Sequence, residues 1–156
     1  MAFLTTFDLL AVHDLVADFP AEWLRRLAIC CHPVTYAAGD RLFREEEPAT
    51  RLCLIHAGVV TLDLHVPGRG DIVVDRLGPG AIAGWESLIP PHRWTFGVVA
   101  IEPVYAVEFY STGIRGLTAD EPELGRQLYA RLLAKVGAGF QSARLRLAEL
   151  SAYPPG

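Results

Sequence analysis

The sequence predicts a mainly β fold, a β-roll or jelly-roll-like barrel of about eight strands with flanking helices and a long C-terminal helix. Three observations predict it. Between residues 32 and 110, short apolar runs with strand-like alternation are separated by closely spaced Gly/Pro turns. On both sides of that region the apolar spacing becomes helical. The composition, 51% hydrophobic and 21% charged over 156 residues, suits one compact domain with one core. The organisation read from these signals is a single domain, 1–156, with N-terminal helices over 1–31, the β-roll over 32–110 and C-terminal helices over 111–151.

Phe7, Leu9, Leu10, Val12, His13, Leu15 and Val16 have loose helical spacing and predict a first helix over 7–18. Pro20 suits the start of a second, from Ala21 to about Cys31, with Trp23, Leu24, Leu27 and Ile29 as its apolar residues. Val34 and Tyr36 precede a Gly39-Asp40 turn. Leu42-Phe43 leads into the acidic run Glu45–Glu47, read as a solvated loop. Leu52, Leu54 and Val60, Leu62, Leu64 alternate with smaller or polar partners on either side of the His56-Ala57-Gly58 turn. Pro67-Gly68-Arg69-Gly70 is a second turn, followed by Ile72, Val74 and Leu77. Thr95 to Ala100 and Val104 to Phe109 predict a last pair of strands around Glu102-Pro103. From Pro122 to about Ser151 the pattern is helical. Leu124, Leu128, Leu132, Val136 and Phe140 lie four apart, then Phe140, Ala143, Leu147 and Leu150 form a coiled-coil-like seam. Asp120 is the expected N-cap, with Glu121 and Glu123 favourable to the helix dipole.

Several function classes are disfavoured by composition. A net charge of −4, with 13 arginines and the single lysine Lys135, gives no basic footprint for nucleic acid. Three cysteines, two of them adjacent, do not make a disulfide framework, which points to the cytoplasm. No apolar run approaches the roughly 18 residues of a membrane span. The five histidines form no His-x-His pair, and no Gly-x-Ser-x-Gly or Cys/His signature marks a nucleophile. The expectation is a protein with no metal and no enzymatic activity.

Residues 77–88 read Leu77-Gly78-Pro79-Gly80-Ala81-Ile82-Ala83-Gly84-Trp85-Glu86-Ser87-Leu88. Strand, Gly-Pro-Gly corner, strand, glycine and a single helical turn follow one another, and the free N–H groups of such a turn suit an anion. This stretch resembles the phosphate-binding cassette of cyclic nucleotide-binding domains, as in Crp/Fnr-type bacterial regulators. The family pattern is roughly Leu-x-x-Gly-x-x-Phe-Gly-Glu-x-Ala/Ser-Leu, followed by an Arg. Gly39-Asp40-x-Leu42-Phe43, Leu54-x-x-x-Gly58 and Ala100-x-Glu102 extend the resemblance along the chain. It implies candidate ligand-binding residues Gly84, Trp85, Glu86, Ser87, Leu88, Arg93, Trp94, Thr95 and Phe140.

Two departures from the pattern alter what the cassette can hold. Trp85 stands at the family's Glu position. Counting back from Ala100-x-Glu102 puts Trp94 at the Arg position, with Arg93 one residue earlier. In a strand one residue is a change of face, so Arg93 reaches the pocket only through a bulge or a shorter loop, and otherwise faces solvent. By the same argument Glu86 either replaces the missing Glu or is an exposed carboxylate on the short helix. Trp85 and Trp94 either fill the space of ribose and phosphate or line a pocket for an apolar or aromatic ligand. Phe140 falls near the level of the family's purine, as a stacking residue or as part of a core or dimer seam. The resemblance thus implies a ligand-sensing regulatory module whose ligand is left open: a cyclic nucleotide, an apolar or aromatic ligand, or none. A homodimer through the C-terminal helix or a partner protein would carry its output. Crp/Fnr-type regulators continue into a helix-turn-helix domain that this chain lacks, so no DNA binding is expected. The alternatives are a cupin-like metalloenzyme, with His ligands from facing strands, and a scaffold protein with a closed, Trp-filled pocket.

Overall fold

In a computed structural model, residues 4–153 are described. Two helices, α1 (Thr6–Val12) and α2 (Ala21–Ile29), precede the strands β1 (Cys31–Tyr36), β2 (Arg41–Phe43), β3 (Arg51–Ala57), β4 (Val60–Val66), β5 (Gly70–Leu77), β6 (Ile82–Ala83), β7 (Gly97–Ala100) and β8 (Val104–Tyr110). A single 3-10 turn, Trp85–Leu88, interrupts them, and α3 (Ser111–Asp120) and α4 (Pro122–Ala152) follow. The strands form two four-stranded antiparallel sheets, ordered β1-β8-β3-β6 and β2-β7-β4-β5. This is the jelly roll that the strand spacing predicts.

β3 and β8 of the first sheet are buried on both faces, and their residues sort by parity. Leu52, Leu54, Val107 and Phe109 face the helices, where they pack with Leu9, Leu10, Leu24, Leu27, Leu124 and Leu128. Cys53, Ile55, Val104 and Ala106 face the interior of the roll, with Phe43, Val60, Trp94 and Val98 from the second sheet and its loops. β3 therefore reads as a continuous apolar run, as a doubly covered strand should. Glu108 shares the inward parity and is buried. Tyr36 donates its hydroxyl to it at 2.8 Å, and the Arg51 guanidinium lies 3.3 Å away.

Three boundaries differ from expectation. α1 stops at Val12, not near residue 18, because His13 leaves the helical path with its ring inside. Its Nδ1 accepts the Leu15 N–H at 3.1 Å, and turns carry the chain to Phe19. Asp120 is not the N-cap of the long helix. It ends α3, and Glu121 is the N-cap, without a side-chain cap bond and with Pro122 at the first helical position. The sharp α3–α4 junction is held by an Arg26–Glu121 ion pair and by Gly125, where a Cβ would meet Thr118 Cβ at 2.9 Å. The last pair of strands also starts later, since Thr95 and Phe96 lie outside β7. Along α4, Leu124, Leu128 and Leu132 are buried. Its distal half, with Phe140, Leu147 and Leu150, is exposed.

His13 generates the first prediction. It is only 2% exposed, its Nε2 has no hydrogen-bond partner among the described residues, and burial reinforced by nearby His56 lowers its pKa to about 4. A depressed histidine favours the native state above its unfolded pKa, about 6.5, and that contribution is lost as pH falls toward 4. Urea denaturation across this window should show a loss of roughly 2 kcal/mol beyond that of His13→Leu. Parallel pH profiles for the two proteins would contradict it.

Candidate functional site

The cassette folds as a strand, a corner and a turn. β6 pairs with β3 through Cys53↔Ala83 and Leu54↔Ile82. Gly84 then takes φ 92°, where a side chain is strained. A Cβ there would also collide with the Arg51 carbonyl and come within 3.2 Å of the Trp94 ring, so the glycine is required twice over. Ser87 is fully buried, and both its N–H and its hydroxyl donate to the Gly84 carbonyl, at 3.0 and 2.7 Å. That consumes one N–H that could have met an anion and gives Ser87 a structural part. Leu88 is half-buried against the outer, helix-facing core.

Trp94 is buried at 4% exposure. Its ring stacks on Phe43 with centroids 3.8 Å apart and planes 11° from parallel. The Arg51 guanidinium carbon lies 5.2 Å from the Phe43 ring centroid. Arg93 is exposed and points the other way, its Nη1 donating to the Glu46 carbonyl at 2.8 Å. The register is set by pairing with the loop before β3. Glu46 N–H donates to the Trp94 carbonyl at 2.9 Å, Trp94 N–H to the Glu47 carbonyl at 3.0 Å, and Pro48 bridges Arg93. The Glu45–Glu47 run is thus a structured loop with Glu46 at φ 70°, although Glu46 and Glu47 are solvent-exposed as expected.

Glu86 corrects the expectation of a surface carboxylate. It is 7% exposed, and Thr95, itself on the surface, donates its hydroxyl to Glu86 Oε1 at 2.7 Å. The strand-face argument fails here because Trp85–Leu88 is a 3-10 turn, in which adjacent residues do not alternate. Burial pushes the Glu86 carboxyl above its ordinary value, outweighing the Thr95 hydroxyl and its own backbone N–H. Trp85, half-buried, and Glu86 line a cavity of about 30 Å³ with Phe43, Leu62, Leu77 and Phe96 among its other walls. Among the described residues that line it there is no Arg, Lys or His. Phe140 is not among them. It is 63% exposed on α4, with the Arg144 guanidinium 5.7 Å from its ring centroid. Phe43, Leu62, Leu77 and Phe96 were not singled out by sequence. The inward parity of β2, β4 and β5 is the signal that finds the first three.

The family profile for the cyclic nucleotide-binding domain matches residues 33–121. The chain belongs to the cyclic nucleotide-binding domain family. A CRP-like cAMP-activated global transcriptional regulator of Mycobacterium tuberculosis is 32% identical over 103 residues, covering 66% of this chain and 46% of the relative. The chain spans about half the length of that curated relative. Among solved structures, a cyclic nucleotide-binding domain from Methylobacillus flagellatus matches with TM-score 0.80 and 25% identity, over 97% of this chain and 84% of its own. A putative cyclic nucleotide-binding protein from Geobacter metallireducens matches with TM-score 0.76 and 27% identity, over 86% of this chain and 98% of its own. Among the described residues, no three His, Cys, Asp or Glu side chains converge as metal ligands, and no helix is long and apolar enough to cross a membrane.

The two neighbours Arg93 and Trp94 should respond oppositely to truncation. Trp94→Ala opens a cavity in the roll and should cost about 3–5 kcal/mol, whereas Arg93→Ala, at the surface, should stay within about 0.5 kcal/mol. Chemical denaturation of both variants measures this. Equal losses would contradict the placement of the two side chains.

Proposed function

We propose that this member of the cyclic nucleotide-binding domain family is a non-enzymatic regulatory module whose altered cassette no longer holds a cyclic phosphate. The observation that carries the reading is Trp94, packed on Phe43 at the position of the family's arginine, with Arg93 turned out to the Glu46 carbonyl. A cyclic nucleotide brings an anion and vicinal hydroxyls, which charge-assisted partners hold best. The one charged side chain among the described lining residues, Glu86, has the same sign as the phosphate. Each lost partner costs about 1.5–3 kcal/mol, so two weaken binding by roughly a hundredfold to ten-thousandfold.

Output runs through α4. Its first half is fixed to the roll by Leu124, Leu128 and Leu132, while Phe140, Leu147 (64% exposed) and Leu150 form an uncovered apolar stripe. Pairing with the same helix of a second copy buries that stripe, and the Gly139/Ala143 spacing lets the two backbones approach. Arg146, tied to Asp75 of β5 at 3.0 Å, fixes the helix against the roll just beside the seam. A protein partner with an apolar helix is the other occupant that fits. A net charge of −4 offers little counterion-release drive for direct DNA contact, and free cysteines fit a reducing cytoplasm.

Calorimetry with cAMP and cGMP tests the cassette. No saturable heat at low-micromolar concentration is expected. Low-micromolar binding that disappears in Arg93→Ala would contradict the reading. Sedimentation equilibrium tests the helix pair. Wild type should be dimeric at micromolar concentration and Leu147→Asp monomeric, and a dimeric Asp variant would remove the α4 interface.

A further inference from the structure

The cassette cavity is small, aromatic and lined by a single ionisable side chain among the described residues. Phe43, Trp85 and Phe96 supply three rings, Leu62 and Leu77 complete the apolar wall, and Glu86 is the one charged lining residue among those described. The carboxylate is over nine-tenths buried, and one of its oxygens is held by Thr95 Oγ1 at 2.7 Å, which fixes its direction. A volume of about 30 Å³ admits one small head group and no purine. Trp85 and Phe96 are only half-buried, so a tail attached to that head group can run outward between them. A buried carboxylate walled by aromatic side chains suits an organic cation, through ion pairing with the carboxylate. Phe43 adds apolar wall, since its ring is already stacked on Trp94.

We propose that the cassette cavity of this protein binds the head group of an organic ammonium, with Glu86 as its counter-charge and Phe43, Trp85 and Phe96 as its walls. The inference rests on the reading that the cassette does not hold a cyclic phosphate, and it names the chemistry the same site would take instead. Binding transfers no atoms. The ammonium donates to the Glu86 carboxylate, at Oε2, the oxygen that Thr95 does not use.

Three probes of one shape and different charge test it on the full chain: 2-phenylethylammonium, the uncharged 2-phenylethanol and the anionic phenylacetate. Calorimetry and thermal shift should show saturable binding of the ammonium at millimolar concentration. The preference over the alcohol should be about tenfold or more, with phenylacetate weakest. Glu86→Gln should erase the preference for the cation while leaving the weak response to the alcohol. Equal binding of ammonium and alcohol by wild type, or no saturable ammonium binding, overturns the inference whether or not the variant folds. cAMP is titrated in parallel. Low-micromolar cAMP binding overturns the underlying reading, whereas silence of both cAMP and the ammonium overturns the cation site alone.

Discussion

The pairing of Arg93 and Trp94 with the loop before β3 determines what the pocket can be. Three backbone hydrogen bonds, Glu46 to Trp94, Trp94 to Glu47 and Ala49 to His92, hold this register at 2.7–3.0 Å. With the backbone so fixed, side-chain alternation leaves no choice: Trp94 goes in and Arg93 goes out. A slip by one residue would bury a guanidinium beside Phe43 and expose an indole. Burying the guanidinium beside Phe43 costs its hydration, whereas the indole is apolar filling there. Gly84 and Trp94 are close neighbours: a Cβ at Gly84 would collide with the Arg51 carbonyl and crowd the Trp94 ring at 3.2 Å.

The same arrangement places the cassette where its state can be felt by the helices. Leu88, at the end of the 3-10 turn, packs into the cluster that includes Leu117, Leu124 and Leu128. The corner before the cassette is held from both sides. Gly80 N–H donates to the Ile55 carbonyl at 2.9 Å, and Lys135 of α4 donates to the Gly80 carbonyl at 3.3 Å. A shift of the cassette therefore has two physical routes to α4, one apolar and one through a hydrogen bond. The anchored half of α4 receives it, and the exposed half carries the uncovered stripe.

Much of the fold was legible because its signals are local. Glycines and prolines mark the turns, apolar parity marks the strands, and the four-residue spacing of Leu124, Leu128 and Leu132 marks the buried face of α4. The cassette was legible as a pattern, and the placement of Trp94 followed from counting. What could not be read depends on tertiary context. His13 ends α1 because its ring finds a backbone N–H two residues on, an alternative to helix that periodicity does not record. Asp120 is taken by the last turn of α3, and Glu121 begins α4 without a side-chain cap bond, so the expected cap is absent. Glu86 is buried because a 3-10 turn breaks the alternation that was assumed for it. Phe140 does not line the cavity because it lies on a solvent-exposed face of α4, which Arg146, farther along, still ties to Asp75 of β5.

In the proposed function, Trp94 stacked on Phe43 plugs the position from which the family's arginine would hold a phosphate. A crystal structure of the protein grown with millimolar cAMP tests it most directly. The expected result is Trp94 still stacked on Phe43, Arg93 still on the Glu46 carbonyl and no nucleotide in the roll. Electron density for a cyclic phosphate paired with an inward-turned Arg93, with Trp94 displaced, would contradict it.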